Sequence, residues 1–426
     1  MPRTLIVGGG LAGLSAAAAL ASAGHSVTIL EARNFLGGRA TSWPVSADEP
    51  ELIDNCQHVL LRCCHNLLDF YQRLGVRDDI KFYPEFNFIE PGGRLSTLTR
   101  SPISFLKMRC FSLADKIAIA RAMLAIKSEA RTRRDLDSIT MLDWLREKRQ
   151  TERAIERYWR QVLVSAVNEE LHRMAAAHGF QVFRLSMMGA KDAYEMGVPN
   201  VPLRQLYRES SWSRVGDVTI HHRCSATRFL TDNGRVTGVQ AATETLTADH
   251  YISALPFEKI PQVLPDLAFD ITPFEHSPIT GIHLWFDRPI TALPHATLLD
   301  RTMQWMFNKS EGRYIQLVVS ASRSLVEMPR ADVIALALKD LTEFFPAAAE
   351  AKLERAHVVK EIRATFSALP GLEPLRPPAT TAFPNLVLAG DWTRSGWPAT
   401  MEGAVRSGYL AAEVITGKRF LIEDAR

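Results

Sequence analysis

Residues 4–39, TLIVGGGLAGLSAAAALASAGHSVTILEARNFLGGR, constrain this chain more than any other stretch. Thr4–Val7 is β-branched and apolar, the composition of a buried parallel strand. Gly8, Gly10 and Gly13 follow in the spacing G-x-G-x-x-G, and a helix of small residues opens at Leu11-Ala12. The first glycine permits a tight turn, the second lets backbone approach a pyrophosphate, and the third lets helix pack on strand. A helix starting there offers unpaired N–H groups and a positive dipole end to the phosphates. Ser26–Leu30 reads as a second strand, and Glu31 ends it, 18 residues past Gly13. That is where a carboxylate accepts from ribose hydroxyls. The expected dinucleotide site is therefore Gly8, Gly10, Leu11, Ala12, Gly13, Glu31 and the adjoining Ala32 and Arg33. An Ala/Gly-rich surface helix would leave Glu31 unexplained. A signal peptide is imitated by Pro2-Arg3, an apolar run and Ala21-Ser22-Ala23, but glycines interrupt its apolar core and the run leads straight into a strand.

The 426 residues suffice for two domains with sizeable cores. A net charge of +3 is too small to imply nucleic-acid binding by the whole chain. The cysteines Cys56, Cys63, Cys64, Cys110 and Cys224 have no metal-ligand spacing, so no metal is expected. Their odd number argues against a disulfide framework and for a reducing, cytoplasmic home. No stretch reaches the ~18 uninterrupted apolar residues that a spanning helix needs. Any membrane contact would be peripheral, at the inner face of the cell membrane.

Cys56–Gly75 reads as a turn and then a helix whose apolar material is Leu60, Leu61, Leu67, Leu68, Phe70 and Tyr71, ended by Gly75. The polar run Asp54-Asn55-Cys56-Gln57-His58 before it is either a helix cap, through Asp54 or Asn55, or a loop facing a cofactor. Lys81–Leu98 looks like a hairpin around Pro91-Gly92-Gly93. Between Arg94 and Arg134, ten basic residues stand against Asp115 and Glu129, a net +8. Leu113, Ile117, Ala120 and Leu124 recur there at helical spacing, with an apolar patch at Ile103, Phe105, Leu106 and Met108 upstream. Such a segment suits either an anionic bilayer surface or a solvated helical cap. Ser138–Ser186 is helical in composition, with Trp144, Trp159, Leu163, Val167 and Phe180 as core. Met187–Tyr207 reads as a loop. Val218–Val239 reads as a meander with its turn at Asp232-Asn233-Gly234. Ser277–Arg288 and Arg313–Ala321 are expected strands of a mostly antiparallel sheet, and Asp332–Phe345 an amphipathic helix.

Asn385–Ala389 is another buried strand, ending at Gly390-Asp391, and Thr400-Met401-Glu402-Gly403 opens a final helix. A strand, an acid at its carboxyl end and a helix start make a second ligand-facing turn. The turn Gly37-Gly38-Arg39 resembles one shared by FAD-dependent amine oxidases and carotenoid desaturases, where it lies beside the flavin end of the pyrophosphate. Arg39 suits a fixed contact to phosphate. The resemblance makes FAD the expected dinucleotide. It places Asp391 on the ribityl chain and the helix start at Thr400-Met401 against the flavin pyrimidine, where a positive dipole end stabilises the anionic reduced ring. By likeness to glutathione-reductase-type flavoproteins, a backbone contact to adenine is expected near Ala226.

With these residues assembled, the chain resembles the squalene-associated FAD-dependent desaturase-like group, whose members act as hydroxysqualene dehydroxylases. The likeness spans nearly the full length. It is carried by Asp54-Asn55-Cys56-Gln57-His58-Val59-Leu60-Leu61, by Phe180 with Gly197-Val198-Pro199, and by Leu388–Thr393 with Gly396–Ala404. Cys56 stands where that group usually has glycine. The resemblance implies an α/β fold: a Rossmann-like FAD domain of the glutathione-reductase type (1–90, 205–260, 380–426) interleaved with an α+β substrate domain (91–204, 261–379) with a mostly antiparallel sheet and a helical cap. It implies reduction of hydroxysqualene to squalene on the way to hopanoids, and upstream squalene-pathway synthases as candidate partners. Proton-assisted ionisation of an allylic C–O bond followed by hydride delivery needs a dry, apolar pocket. Trp285-Phe286 and Trp305-Met306-Phe307 are expected to line it, with His58 as the acid and Asp54 as its orienter. Rival readings are a carotenoid or phytoene desaturase, a flavin amine oxidase, and a non-catalytic FAD protein that binds lipid or a partner.

Overall fold

A computed structural model describes residues 1–46, 49–242 and 244–424. The opening unit is β1 (Arg3–Val7), α1 (Leu11–Ser22) and β2 (Ser26–Leu30). Every residue of α1 from Leu11 to Ala21 is buried. Small side chains bring this helix close to the sheet on one side and to another helix on the other. Next come β3 (Ser42–Ser46) and β4 (Glu49–Asp54), an antiparallel pair, and the two-residue β5 (Leu60–Leu61). Helix α2 (His65–Leu74) starts later than its apolar run suggests and stops at Gly75, whose φ of +68° gives a left-handed cap. Leu60 and Leu61 are thus strand, not helix.

Strands β6 (Ile80–Tyr83), β7 (Phe86–Glu90) and β8 (Arg94–Leu98) follow, with β7 and β8 paired around Pro91–Gly93. The helical part comprises α3 (Pro102–Lys107), α4 (Leu113–Glu129), α5 (Met141–Glu147), α6 (Glu152–Ala154), α7 (Arg160–Val167) and α8 (Ala176–Leu185). Ser112 and Asp115 form a reciprocal capping box at the start of α4. Trp144, Trp159, Leu163, Val167 and Phe180 are all buried in one cluster beneath these helices. The expected loop 187–207 contains β9 (Met196–Pro199), the middle strand of a sheet ordered β5-β9-β6.

The chain then returns to the first sheet through β10 (Val218–His221), which pairs parallel with β2 and is not part of a meander. The meander holds for β11 (Ala226–Asp232) and β12 (Arg235–Ala241), which turn at Asn233-Gly234 with both φ values positive, and for the next strand, which pairs antiparallel with β12. After β13 (Glu244–Leu246) and β14 (His250–Ser253) come α9 (Ile260–Val263) and four strands, β15 (His276–Phe286), β16 (His295–Leu298), β17 (Trp305–Ser310) and β18 (Tyr314–Ser320). The chain ends through α10 (Arg330–Phe344), α11 (Ala347–Glu350), β19 (Leu353–Phe366), β20 (Leu386–Leu388) and α12 (Met401–Thr416).

The first sheet is wholly parallel in the order β10-β2-β1-β14-β20. The largest sheet is ordered β19-β15-β18-β17-β16-β7-β8. Because β7 pairs with β16, that sheet takes in residues before 91, which the expected domain boundary assigned elsewhere. Among the described residues, no helix is long and apolar enough to cross a membrane.

Candidate active site

The two glycine turns meet. Gly37 N–H donates to the Gly9 carbonyl at 2.9 Å, and Gly37 bridges to Gly10 as a strand neighbour would. A Cβ on Gly13 would lie 2.0 Å from the Gly8 carbonyl oxygen, and one on Gly8 2.7 Å from that of Ala254. Gly10 differs: a Cβ there would meet only Gly38 Cα, at 3.9 Å. Space therefore remains in front of Gly10, and α1 behind it has no side-chain cap on its first turn. An open space at an uncapped helix N-terminus fits a pyrophosphate. Glu31, buried at the end of β2, accepts from Gly9 N–H and from Arg33 N–H, both at 2.8 Å. Its partners at the strand end, His221 and Cys224, precede β11, so Ala226 comes within two residues of the Glu31 contact.

The second turn closes on the first. Arg39 donates to Asp391 Oδ1 at 2.6 Å, joining residues 352 positions apart. Gly390, with φ of +151°, presses against the Trp392 ring, and Thr400 caps α12 through Gly403 N–H. Met401 begins the helix beside it. Glu402 turns away and takes the capping role that one of the two readings gave to Asp54 or Asn55, so the other reading, a loop, describes residues 55–58. Its carboxylate accepts from Leu67 N–H at 2.7 Å, from Asn66 N–H at 3.2 Å and from Asn66 Nδ2 at 2.8 Å, capping α2 from a distant part of the chain. Glu402→Ala should leave three buried donors unmatched and cost about 3 kcal/mol in denaturant unfolding, with partial recovery in Glu402→Gln. A loss below about 1 kcal/mol would show that water or another acceptor takes over.

His58 lies in the loop after β4. Asn55 Nδ2 donates to the Arg39 carbonyl at 2.7 Å, which leaves Asn55 Oδ1 to accept from His58 Nε2 at 3.0 Å. The proton of neutral His58 is thereby placed on Nε2, and Nδ1 carries the lone pair. Cys56 Sγ is 3.3 Å from the same nitrogen, and burial pushes its thiol up, keeping it protonated. Burial pulls the His58 pKa down to about 4, against the opposing charge of Asp54. Asp54 itself does not orient His58. Its carboxylate accepts from Ser42 Oγ at 2.7 Å and Leu203 N–H at 2.9 Å, and lies 3.4 Å from Lys309 Nζ. Lys309 also donates to Gln57 Oε1 at 2.8 Å. Nothing in the local pattern of β17 singles out Lys309, because its partners sit some 250 residues earlier. Asn55 takes the orienting role.

This loop lies flush on the large sheet: a Cβ at Gly281 would be 3.0 Å from the Asn55 carbonyl oxygen. Alternation along the strands then decides which aromatic residues share that face. Trp305 and Phe307 stack at 5.8 Å and cluster with Val59, Leu61, Met196 and Val318. Trp285 stacks on Tyr314 at 4.4 Å. Met306 and Phe286, expected in the pocket, point to the opposite face and join the core beneath α10.

The chain matches the description "Flavin containing amine oxidoreductase" over residues 11–416. It belongs to the flavin-containing amine oxidoreductase family. It is 30% identical to a hydroxysqualene dehydroxylase of Zymomonas mobilis, with 97% of this chain and 99% of the relative covered. It is 26% identical to a zeta-carotene desaturase of Synechocystis sp., with 99% of each covered. A solved oxidoreductase from Methanosarcina mazei shares the fold with a TM-score of 0.73 at 17% identity, covering 98% of this chain and 100% of that one. As a family member the protein is an FAD-dependent oxidoreductase.

In this flavin-containing oxidoreductase the sheet beneath the His58 loop also carries polar atoms that find no hydrogen-bond partner among the described residues. His283, Gln316, Phe307 and His295 form one cross-strand row over β15, β18, β17 and β16. Both amide atoms of Gln316, Nδ1 of His295 and the hydroxyl of Thr297 are buried without a hydrogen bond. His283 gives one nitrogen to Tyr314 OH at 2.7 Å. Burial lowers His295 to about 4 and His283 to about 3, and it lowers His178, in α8, to about 4. A histidine whose folded pKa lies below its unfolded 6.5 stabilises the fold while neutral, and that contribution is lost as pH falls from 6.5 toward 4. Each should cost about 2 kcal/mol between pH 7 and pH 4.5. Glu402, pushed up to about 7 by burial, works in the opposite direction, as do Asp137, Glu156 and Asp340, also raised by burial. The ion-paired Glu90, Glu129 and Glu169, held low, add to the loss at acid pH. Unfolding midpoints should therefore drop on acidification; an unchanged midpoint would mean that the histidines are solvated.

Proposed function

We propose that the protein reduces hydroxysqualene to squalene and water. The observation that carries this reading is His58, an imidazole held by Asn55 beside the apolar cluster of Val59, Leu61, Trp305 and Phe307. Reducing an allylic alcohol needs a proton donor at such a face, whereas desaturating a hydrocarbon does not. The full-length relative at 30% identity supports it. Bound in its reduced form, FAD supplies the hydride. Gly10, the α1 N-terminus and Glu31 hold the adenosine diphosphate end, and Asp391 with the start of α12 holds the flavin end. The apolar face of Trp305, Phe307, Val59 and Leu61 keeps water from a developing carbocation. His58, protonated at Nδ1, gives its proton to the departing hydroxyl, while Asn55 keeps the ring oriented through Nε2.

Anaerobic incubation of the FAD-loaded, dithionite-reduced protein with hydroxysqualene should yield squalene and reoxidised flavin. A second reading, desaturation of a carotenoid, draws on the 26% full-length identity to zeta-carotene desaturase. It runs the redox step the other way. Desaturation of phytoene or zeta-carotene by the oxidised protein, with no squalene formed by the reduced one, would select it.

A further inference from the structure

We propose that α3 and α4 form a docking face for an anionic lipid bilayer. Helix α4 has two apolar sides. Ile119, Ala122 and Ile126 are buried against the helical core. At 100° per residue, Leu113, Ile117, Ala120 and Leu124 fall within an arc of about 60° on the opposite side. That stripe is bare: Leu113 is 71% exposed, Ile117 51% and Leu124 68%. Ile103 and Leu106 of α3 are 60% and 61% exposed. Lys116 Nζ donates to the Leu106 carbonyl at 2.7 Å, holding the end of α3 beside the first turns of α4, so the five side chains make one patch. Of the eleven large apolar side chains exposed among the described residues, these five and Leu95 lie between 95 and 124. A concentration of this kind marks a surface that another apolar phase covers.

The charges around the stripe name that phase. Arg121 and Lys127 flank the stripe on α4, and Lys107, Arg109, Arg131 and Arg134 of the same segment are likewise open to solvent. The two acids of the segment are spent elsewhere: Asp115 is in the capping box, and Glu129 bonds the Trp144 ring nitrogen and pairs with Lys148. A second copy meeting this face about a two-fold axis would set cation against cation. A bilayer with anionic headgroups accepts both components, apolar side chains at the acyl boundary and cations at the phosphates. The inference does not depend on which isoprenoid, if any, the enzyme reduces, since vesicle binding is measured without substrate.

The test is flotation of the FAD-loaded full chain with phosphatidylcholine vesicles, with and without about one-third phosphatidylglycerol. The protein should float with the anionic vesicles at low salt and release at high salt. Combined Leu113→Ser, Ile117→Ser and Leu124→Ser should lower the bound fraction at least tenfold, with FAD content and melting temperature unchanged because these side chains touch solvent. Arg121→Glu with Lys127→Glu should abolish the preference for anionic vesicles. Failure of the wild-type chain to float, or equal binding by the serine variant, overturns the proposal. So does a concentration-dependent dimer that the serine variant dissolves while vesicle binding is absent, since a second copy would then be the occupant.

Discussion

Gly13→Ala is expected to yield a protein that neither retains FAD nor folds stably, whereas Gly10→Ala is expected to fold normally and fail only to retain FAD. The difference rests on what each new methyl group meets. At Gly13 it would sit 2.0 Å from the Gly8 carbonyl oxygen and 3.2 Å from Ala254 Cβ. Neither is the free end of a side chain, so β1, its turn and α1 would have to separate, at a cost of about 3 kcal/mol or more. At Gly10, φ of −80° and ψ of 176° suit alanine, and the nearest atom is 3.9 Å away. The methyl group fills only the space in front of the helix, the space that a pyrophosphate requires. Flavin absorbance per protein and melting temperature separate the two effects. FAD affinity should fall at least ~100-fold in Gly10→Ala, with melting within about 2 °C of the parent. Stoichiometric FAD in that variant would remove Gly10 from the cradle.

His58→Ala is expected to slow single-turnover oxidation of the reduced enzyme by hydroxysqualene by about 10²–10⁴-fold, the usual contribution of a positioned proton donor. Flavin content should not change, since among the described residues the polar contacts of His58 are with Asn55 and Cys56. With its pKa held near 4, His58 is mostly neutral at pH 7. The rate in the parent protein should therefore fall as pH rises through the neutral range, and that dependence should vanish in His58→Ala. An anionic reduced ring nearby would move the profile to higher pH without changing its sign. An unchanged rate would discard His58 and leave Lys309, the cation between Asp54 and Gln57, as the next donor to replace.

The parts of this protein that are legible in its sequence are those whose causes are local. The β1–α1–β2 unit carries its own glycine chemistry, the Asn233-Gly234 hairpin its own turn, and α4 its own capping box. Errors appear where a distant segment decides. Helix α2 is capped by Glu402, more than 300 residues away, so its polar prelude Asp54–His58 was free to become a loop against Gly281. Val218–His221 looks like one strand of a meander, yet its partner is β2, and parallel pairing leaves no turn signal. Met196–Pro199 is a strand only because β5 and β6 flank it. Asp54 and His58 are near neighbours in sequence, but the carboxylate closes on Ser42, Leu203 and Lys309. The aromatic pairs at 285–286 and 305–307 show the same limit: composition finds the residues, and strand alternation sends Phe286 and Met306 to the other side.

The Arg39–Asp391 contact sets an order of events in the life of the chain. Half of the cofactor cradle is complete once about 40 residues have emerged from the ribosome, while its counterpart follows some 350 residues later. Apart from β1 and β2, every strand of the parallel sheet also comes from residue 218 onward. A nascent chain thus exposes the Gly10 turn and an alanine-rich helix long before the strands and the final helix that cover them exist. Closure of the first and last parts of the polypeptide is then a late step, and a flavin held between them, as proposed, would be captured only once nearly the whole chain has been made.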